Sequence, residues 1–537
     1  MESTIEPQIT PAEFETLVVT HGWRSLLQGH SKSVLERDVL PAFLASRRWF
    51  AERGNSSTTC LLVGDLPLDA ADQNLGVALV EAKGRHETAN YLLPLSIKWT
   101  RFDPMRPNST ALAAVRRGPQ QGTLIDASAD AGFISSILEN LRASRTIEGD
   151  QRTLEFRPTS RFPPSAETPI QNVRAVETEQ SNTTALVDNQ YVVKLFRRLE
   201  SGVNPEIEVG RFLTDTVSFP NTPPLLGAVE LEEKGTRGAV AVVHGFIENQ
   251  GDAWAVTSAY LDRFVEERRL LTAEAAEHSD EEAAYVRRMD QVGRCVAELQ
   301  LALASRDDVI DFAPEPITAE DVRGWTNKVL ARANRTLDEL ARRRSDLRDN
   351  DRQLVDELLS RRRTLPDRLG ELLPATVQTM KIRHHGDFHL GQMLIVKDDV
   401  FIIDFEGEPR RSIEDRRRKA PAARDVAGLI RSIDYSATAA LERALKSAPD
   451  EQGRLALALE GWREHSIAAF LAAYRQSLSD TRLWPRSPEE AERLLDFFLL
   501  EKTFYEIEYE LAHRPDWLRV PLASTWRILS RSEGTPE

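Results

Sequence analysis

Residues 384–408 read HHGDFHLGQMLIVKDDVFIIDFEGE. Asp387 lies in a His-Gly-Asp turn, the amide of Gln392 follows five residues later, and a second acidic group, Asp404-Phe405-Glu406, closes the stretch. Moving a phosphoryl group from a nucleotide to an alcohol needs these groups. One carboxylate must orient the hydroxyl and take its proton, and hard oxygens must hold Mg²⁺ on the phosphates, because catalysis here is mostly positioning and charge neutralisation. Asp387 fits the base, Gln392 and Asp404 fit the metal ligands, and Glu406 adds a carboxylate to that set. His385 and His389, on either side of Asp387, are assigned to the acceptor.

The elements that must position these groups are legible as patterns. Met393–Val396 and Val400–Ile403 read as two short strands joined by a Lys397-Asp398-Asp399 turn, a hairpin that returns Asp404 to the same end as Gln392. Upstream, Val173–Glu177, Thr184–Val187 and Tyr191–Phe196 read as strands, and YVVKLF presents Lys194 towards nucleotide phosphates. Asn204-Pro205 opens a helix, NPEIEVGRFL, with proline in the first turn. Glu206 and Glu208 are both available to pair with Lys194, and Glu208 is favoured. Ser181, Asn182 and Thr183 lie in the EQSNTT loop, where a phosphate-binding loop belongs; it has no glycine, so hydroxyls, the amide and backbone N–H groups would make the contacts. The same residues also favour a plain hairpin turn. Ala239–Phe246 is an apolar strand followed by a hinge-like loop to Asp252.

Glu489–His513 reads as a helix stopped by Arg514-Pro515. Glu501, Tyr505 and Tyr509 share one face, with Lys502, Glu506 and His513 beside it. Rings cover apolar sugar C–H patches and carboxylates accept hydroxyl protons, so this face suits a sugar; the plainer reading is an amphipathic core helix. Asp425 reads as the N-cap of the helix VAGLIRSIDYSATAALERAL. The charged helices over residues 257–306 and 318–372 read as solvated faces with i,i+4 pairing.

With 537 residues the chain must divide into several cores. We expect an α+β, bilobal protein-kinase-like fold: residues 1–150 as a small α+β cap, 151–252 as a β-rich N-lobe, and 253–537 as a helical C-lobe carrying the 384–408 stretch. The segment Pro158–Pro169 reads as a linker or strand-flanking loop. Arg47-Arg48-Trp49 reads as an aromatic anchored beneath a surface. A net charge of −15 argues against nucleic acid or an anionic membrane as partner. The absence of a long apolar run or a basic leader sets cytoplasm as the expected location. Cys60 and Cys295 lack metal-type spacing and read as free thiols.

Six motifs in order resemble the bacterial maltokinases, within the aminoglycoside-phosphotransferase-like kinases: LPAFLASRRWF, EQSNTT, NPEIEVGRFL, HHGDFHLGQMLIVKDDVFIIDFEGEP, RDVAGLIRSIDYSA and LEKTFYEIEYELAHRPDWLRVPL. The resemblance implies ATP and Mg²⁺ as cofactors, Asp387 as base, Gln392 and Asp404 as Mg²⁺ ligands, Lys194 on the phosphates, and the last helix along a maltose pocket. Gln392 in place of asparagine, Glu406 in place of glycine and the glycine-free loop depart from the wider kinase pattern but are shared by this family. The resemblance also implies phosphorylation of maltose at its anomeric hydroxyl, in trehalose and α-glucan metabolism. A separate trehalose synthase is an expected partner, with the 257–372 helices as a docking surface. The alternatives are a related sugar or aminosugar kinase of the glucosamine kinase type, and a non-catalytic scaffold for trehalose synthase.

Overall fold

The computed structural model describes residues 15–54, 57–68, 74–85, 87–100, 110–149, 151–164, 170–176, 181–270 and 280–531. Parts of three expected segments lie outside these residues: 165–169 of the linker, 177–180 before and within the glycine-free loop, and 271–279 of the first charged helical region. The chain forms two compact units, one running to Ser218 and including Pro223–Glu248, the other made of Phe219–Thr222 and Asn249 onward.

The first unit holds two sheets. Strands β1 (Thr16–Val18), β2 (Thr59–Pro67), β3 (Leu75–Lys83), β4 (Thr88–Lys98), β5 (Ala111–Arg117) and β6 (Gln120–Asp126) run in the order β1-β5-β6-β4-β3-β2. Against them pack the short helices α1 (Gly29–Val34) and α2 (Leu40–Ala45), the latter with Pro41 in its first turn. Their core includes Trp23, Phe43, Leu44 and Tyr91, and half-buried Trp49 packs onto it. Helix α3 (Ala131–Arg142) follows, opened by Asp130, whose side chain accepts from Gly132 N.

The second sheet contains β7 (Thr146–Glu148), β8 (Arg152–Pro158), β9 (Val173–Val176), β10 (Asn182–Val187) and β11 (Tyr191–Phe196), with β13 and β14 introduced below. The two-residue strand β12 (Arg198–Leu199) leaves this sheet and pairs with β4 of the first. Helix α4 (Pro205–Arg211) comes next, capped by Asn204, and then β13 (Leu225–Glu233) and β14 (Thr236–Gly245) complete the order β7-β8-β13-β14-β11-β10-β9. A division into three domains at 150 and 252 is proposed on the sheets. The units do not draw the first boundary, since β7 begins before residue 150 and β12 belongs to the first sheet.

The second unit is mainly helical: α5 (Ala253–Leu270), α6 (Asp280–Leu303), α7 (Ala319–Arg343), α8 (Asp349–Ser360) and α9 (Leu365–Leu372). A small sheet of β15 (Glu315–Pro316), β16 (Met380–Ile382) and β19 (Ala420–Pro421) supports the turn before Asp387, and the hairpin β17 (Met393–Val396)–β18 (Asp399–Ile402) follows that turn. The short helix α10 (Ile413–Arg417) precedes α11 (Ala423–Leu445), α12 (Gln452–Ser477), α13 (Pro488–His513) and α14 (Arg519–Ser530). No helix among the described residues is long and apolar enough to cross a membrane. Cys60 and Cys295 are free and buried, and burial pushes the Cys60 thiol up to about 12, with Glu36 adding to the shift.

Candidate active site

In the first unit, Lys194 occupies the middle of β11, opposite Thr184 of β10. Its ammonium lies 2.9 Å from Glu206 Oε2, and both side chains are buried. The expected partner Glu208 is thereby corrected to Glu206. Two residues along a helix turn the side chain by roughly 200°, so only one of the two glutamates can face β11; Glu206 does, and Glu208 lies towards the half-exposed side. His244 Nε2, from β14, sits 3.2 Å from the other Glu206 oxygen. Burial raises the Glu206 carboxyl, but the charges of Lys194 and His244 outweigh it and hold the group at about 2. His244 was visible in the sequence only as a histidine in an apolar strand.

The glycine-free loop departs from expectation in one respect. Directly paired residues of a sheet share a face and neighbours alternate, so Asn182 and Thr184 lie on the face of Lys194, while Thr183, paired with Leu195, lies on the opposite face. The Thr183 hydroxyl accepts a 2.7 Å bond from Arg197 Nε, which corrects its assignment as a phosphate contact beside Lys194. Ser181 stands just before β10.

In the second unit, the turn after β16 is pinned from behind. Gly386 takes φ +88°, a conformation that favours glycine, and the Asp425 carboxylate accepts from His385 N at 2.8 Å and Gly386 N at 3.0 Å. Asp425 is therefore not the N-cap of its helix, which begins at Ala423. It is a buried acceptor that fixes the backbone immediately before Asp387. Gly428, one turn along α11, brings the helix against this loop: a Cβ there would lie 2.5 Å from the carbonyl of Phe388. His385 is 2 % exposed, its Nε2 bonds to Ile403 O at 2.9 Å, and its ring packs against Phe388 and Phe405. Its assignment to the acceptor is corrected: the ring ties the Asp387 turn to the strand end before Asp404. His389 accepts from Gly391 N at 3.1 Å through Nδ1 and caps the short turn leading to Gln392. Burial lowers its pKa, against the opposing pull of Asp387.

The hairpin places Gln392 beside Asp404 as the pattern requires. Gln392 Nε2 donates to Asp404 Oδ2 at 2.9 Å, and Ile403 N bonds back to Gln392 O at 3.0 Å. Asp404 takes φ +66°, a left-handed conformation unusual for a residue with a side chain. Glu406 follows in the turn after it, half-buried.

Helix α13 brings Lys502 to Asp387. The ammonium lies 3.4 Å from Asp387 Oδ1 and 3.2 Å from Glu408 Oε1. Burial opposes its charge, but Glu408 and Asp387 outweigh it and raise the pKa. Burial likewise pushes the Glu408 carboxyl up, while Lys502, Arg411 and Arg424 bring it down to about 2. A small half-open cleft lies beside this cluster, lined by Glu408, Arg411, Arg424, Glu501, Lys502 and Tyr505 among others, with Arg332 contributed by α7. Glu501 pairs with Arg424 at 2.7 Å and with Arg411 at 3.6 Å. The Tyr505 ring receives Lys502 at 5.1 Å and Arg332 at 5.3 Å.

The rest of the expected acceptor face divides by helix phase. Glu506 turns inward and binds Arg431 at 2.8 Å, with Arg431 1 % exposed. It is a core ion-pair residue, which corrects its assignment to the acceptor. Tyr509, one turn beyond Tyr505, is tilted against the His513 ring at 4.8 Å and lies beneath Arg410 and Arg514, outside the cleft lining. Glu408, Arg411, Arg424 and Arg332 were missed in the sequence. Arg332 sat in a helix whose charges read as solvent-facing, and the other three had no spacing relation to α13.

The sequence profile of the phosphotransferase enzyme family matches residues 172–459, more than half of the chain. The chain belongs to that family. Residues 43–130 match the maltokinase N-terminal cap domain. Glucosamine kinase of Streptacidiphilus jiangxiensis is 26% identical over 371 residues, covering 67% of this chain and 74% of the relative. Glucosamine kinase of Mycolicibacterium smegmatis is also 26% identical, covering 67% and 81%. Among solved structures, crystal form B of a glucosamine kinase superposes with a TM-score of 0.62 at 21% identity, covering 94% of this chain and 100% of that one. A glucosamine kinase complexed with glucosamine, ADP and inorganic phosphate superposes at 0.59 and 22%, covering 88% and 94%. The fold is thus the expected α+β, kinase-like one, with an N-terminal cap and a helical C-terminal region.

Proposed function

We propose that this phosphotransferase moves the γ-phosphoryl group of ATP to the anomeric hydroxyl of maltose, in the cytoplasm. The observation that carries the reading is the charge state of the cleft beside Asp387. Glu408 is held by Lys502 and Arg411, Glu501 by Arg424 and Arg411, and the Asp425 oxygens by two backbone N–H groups. Each carboxylate of that lining already has a cationic or backbone N–H partner, so the ammonium of a cationic sugar would compete for it with Arg411, Arg424 or Lys502 and would also meet Arg332. Like charges in a half-buried cleft repel, so the lining suits a neutral polyhydroxyl ring laid on Tyr505. The match of the cap to that of maltokinases supports maltose as that neutral sugar.

Asp387 orients the acceptor hydroxyl and takes its proton. Lys502, holding Oδ1, fixes the carboxylate rotamer and stays charged through neutral pH. Asp425 and His385 fix the backbone from which Asp387 projects. Lys194, set by Glu206, binds phosphate oxygens, with Asn182 and Ser181 at the same end of β10–β11. Gln392, Asp404 and Glu406 offer the hard oxygens Mg²⁺ takes, so the donor set fits the ion; bound there, Mg²⁺ would neutralise phosphate charge.

Transfer from labelled ATP, with Mg²⁺, to maltose, glucose, glucosamine and trehalose in parallel tests the proposal. Label on maltose, in an acid-labile anomeric phosphate, is expected. A higher rate on glucosamine would favour the second reading, an aminosugar kinase, to which the names of the two relatives point. A separate trehalose synthase partner is part of the same proposal. Co-elution from cell extract tests it, and a partner-free profile counts against it.

A further inference from the structure

A second cleft of the helical unit shares no lining residue with the one beside Asp387. Four guanidiniums line it: Arg431 from α11, Arg463 from α12, Arg527 from α14 and Arg531 just beyond that helix. Among the described residues, Asp434 is the only carboxylate of the lining, and Ser524 supplies a hydroxyl. Both Asp434 oxygens are already engaged, Oδ1 by Arg463 Nε and Oδ2 by Arg431 Nη1. Behind the lining, Glu506 holds Arg431 at 2.8 Å, and Glu460 lies 3.2 Å from Arg463 and 3.7 Å from Arg527. Asp496 and Glu492 lie 3.2 and 3.7 Å from Arg531.

Those pairings leave donors to spare. Arg431 is 1 % exposed, yet its Nη2 is buried without a hydrogen-bond partner among the described residues. A buried donor of a charged group that lacks an acceptor is costly, and an oxygen brought into the cleft would supply one. Arg527 reports the same excess independently. Burial and the charges of Arg463 and Arg431 lower its pKa, although Asp434 and Glu460 oppose them. Its guanidinium remains charged at neutral pH, so the direction of the shift marks a place where positive charge is under-compensated. Ile430 and Ile528 add apolar wall, which lowers the local dielectric and strengthens attraction to an anion. Planar guanidinium forks match the paired oxygens of a phosphate better than ammonium groups do.

We propose that this cleft is an anion site, separate from the phosphoryl-transfer groups, that takes a phosphate dianion: free inorganic phosphate or the phosphoryl end of a phosphate ester. Arg431, Arg527 and Arg531 supply the donors, and Asp434 with Ser524, which accepts from Arg431 Nη1, holds Arg431 in place. The cleft is half open, so the rest of an ester would extend into solvent. Its seat is connected to the acceptor side of the enzyme. Arg431 lies two turns beyond Arg424 on α11, and its Nε holds Glu506, one turn beyond Lys502 on α13. The site does not depend on which sugar is the acceptor.

Thermal melts of the full chain test the site. Chloride is replaced stepwise by inorganic phosphate, or by glucose 6-phosphate, at constant ionic strength and without nucleotide or Mg²⁺, and the rise in Tm gives an apparent Kd. A saturable rise is expected. Arg527→Gln and Arg531→Gln change side chains that are 39% and 49% exposed; each should fold, and each should weaken the apparent Kd about tenfold, the worth of one charge-assisted hydrogen bond. Lys194→Ala and Arg424→Leu, which remove cations from β11 and from the acceptor cleft, should leave it unchanged. The absence of a saturable rise with either ligand would overturn the proposal. So would a wild-type Kd in both Arg527→Gln and Arg531→Gln, or loss of the rise in Lys194→Ala or Arg424→Leu instead. Tighter binding of glucose 6-phosphate identifies an ester as the occupant, and tighter binding of inorganic phosphate identifies the free ion.

Discussion

Lys194 in the first unit and Lys502 in the second each meet carboxylates, the first buried and the second half-buried, and the two arrangements differ in what they leave open. Lys194 and Glu206 are 12 residues apart, and the carboxylate is gripped on both oxygens, by the ammonium and by His244. That pair is closed. Lys502 lies 115 residues from Asp387 and 94 from Glu408, bridges the two, and lines a cleft. A closed pair fixes the direction of one ammonium, as a phosphate ligand requires. A bridged lysine can hold one acid permanently, Glu408, while the other, Asp387, exchanges partners during turnover.

The largest expected effect strikes the open arrangement. Asp387→Asn should lower kcat by roughly 10²- to 10⁴-fold, the usual worth of a general base, and leave nucleotide affinity intact by equilibrium titration. A kcat within tenfold of wild type would remove Asp387 from the base role. Next, Lys502→Met and Lys194→Ala should split in opposite directions. The first should lower kcat/KM for the sugar by about 10²-fold with ATP affinity retained, and the second should weaken ATP with the sugar KM retained. Steady-state kinetics with each substrate varied in turn checks the split, and identical profiles would dissolve the contrast. Arg424→Leu frees Glu501 of its 2.7 Å partner. It should raise glucosamine use relative to maltose by about tenfold, because a carboxylate held only by Arg411 at 3.6 Å then faces the cleft; an unchanged ratio in the labelled-transfer assay would count against charge as the selector.

The smallest effect is one of pH. Glu206 titrates near its ordinary value, about 4.3, when unfolded and at about 2 when folded. Its contribution to stability is therefore complete above the unfolded value and is lost as pH falls towards the folded one. Thermal melts should show wild type above Glu206→Gln at pH 6, with the gap narrowing from pH 4.5 towards pH 2.5. A gap that widens over that interval would show that Glu206 does not carry the charge.

Local pattern carried a large part of this structure. The β17–β18 hairpin follows from two apolar runs and a polar turn, and a hairpin of that length must return Asp404 to Gln392. The lysine strand and the Asn204-capped helix follow in the same way, as does the long helix through Tyr505. Where the sequence misled, the error was one of facing. Glu206 or Glu208, Glu506 or Tyr505, Thr183 or Asn182 are each decided by helix phase or strand alternation relative to a neighbour that the sequence does not identify. His385 looked like a substrate ligand because its type permits it, and burial between two phenylalanines made it a strut.

What the sequence determined by itself is the set of groups bound by short-range geometry: Asp387 in its glycine turn, Gln392 with Asp404, and Lys194 on its strand. What only the tertiary structure decided is which charges meet across long stretches of chain. Asp425 under the Asp387 turn, Lys502 between Asp387 and Glu408, Arg332 at the cleft and Arg431 against Glu506 are such meetings. Spacing rules act through the periodicity of one helix or strand, and that periodicity carries no information about which other element packs against the face it creates.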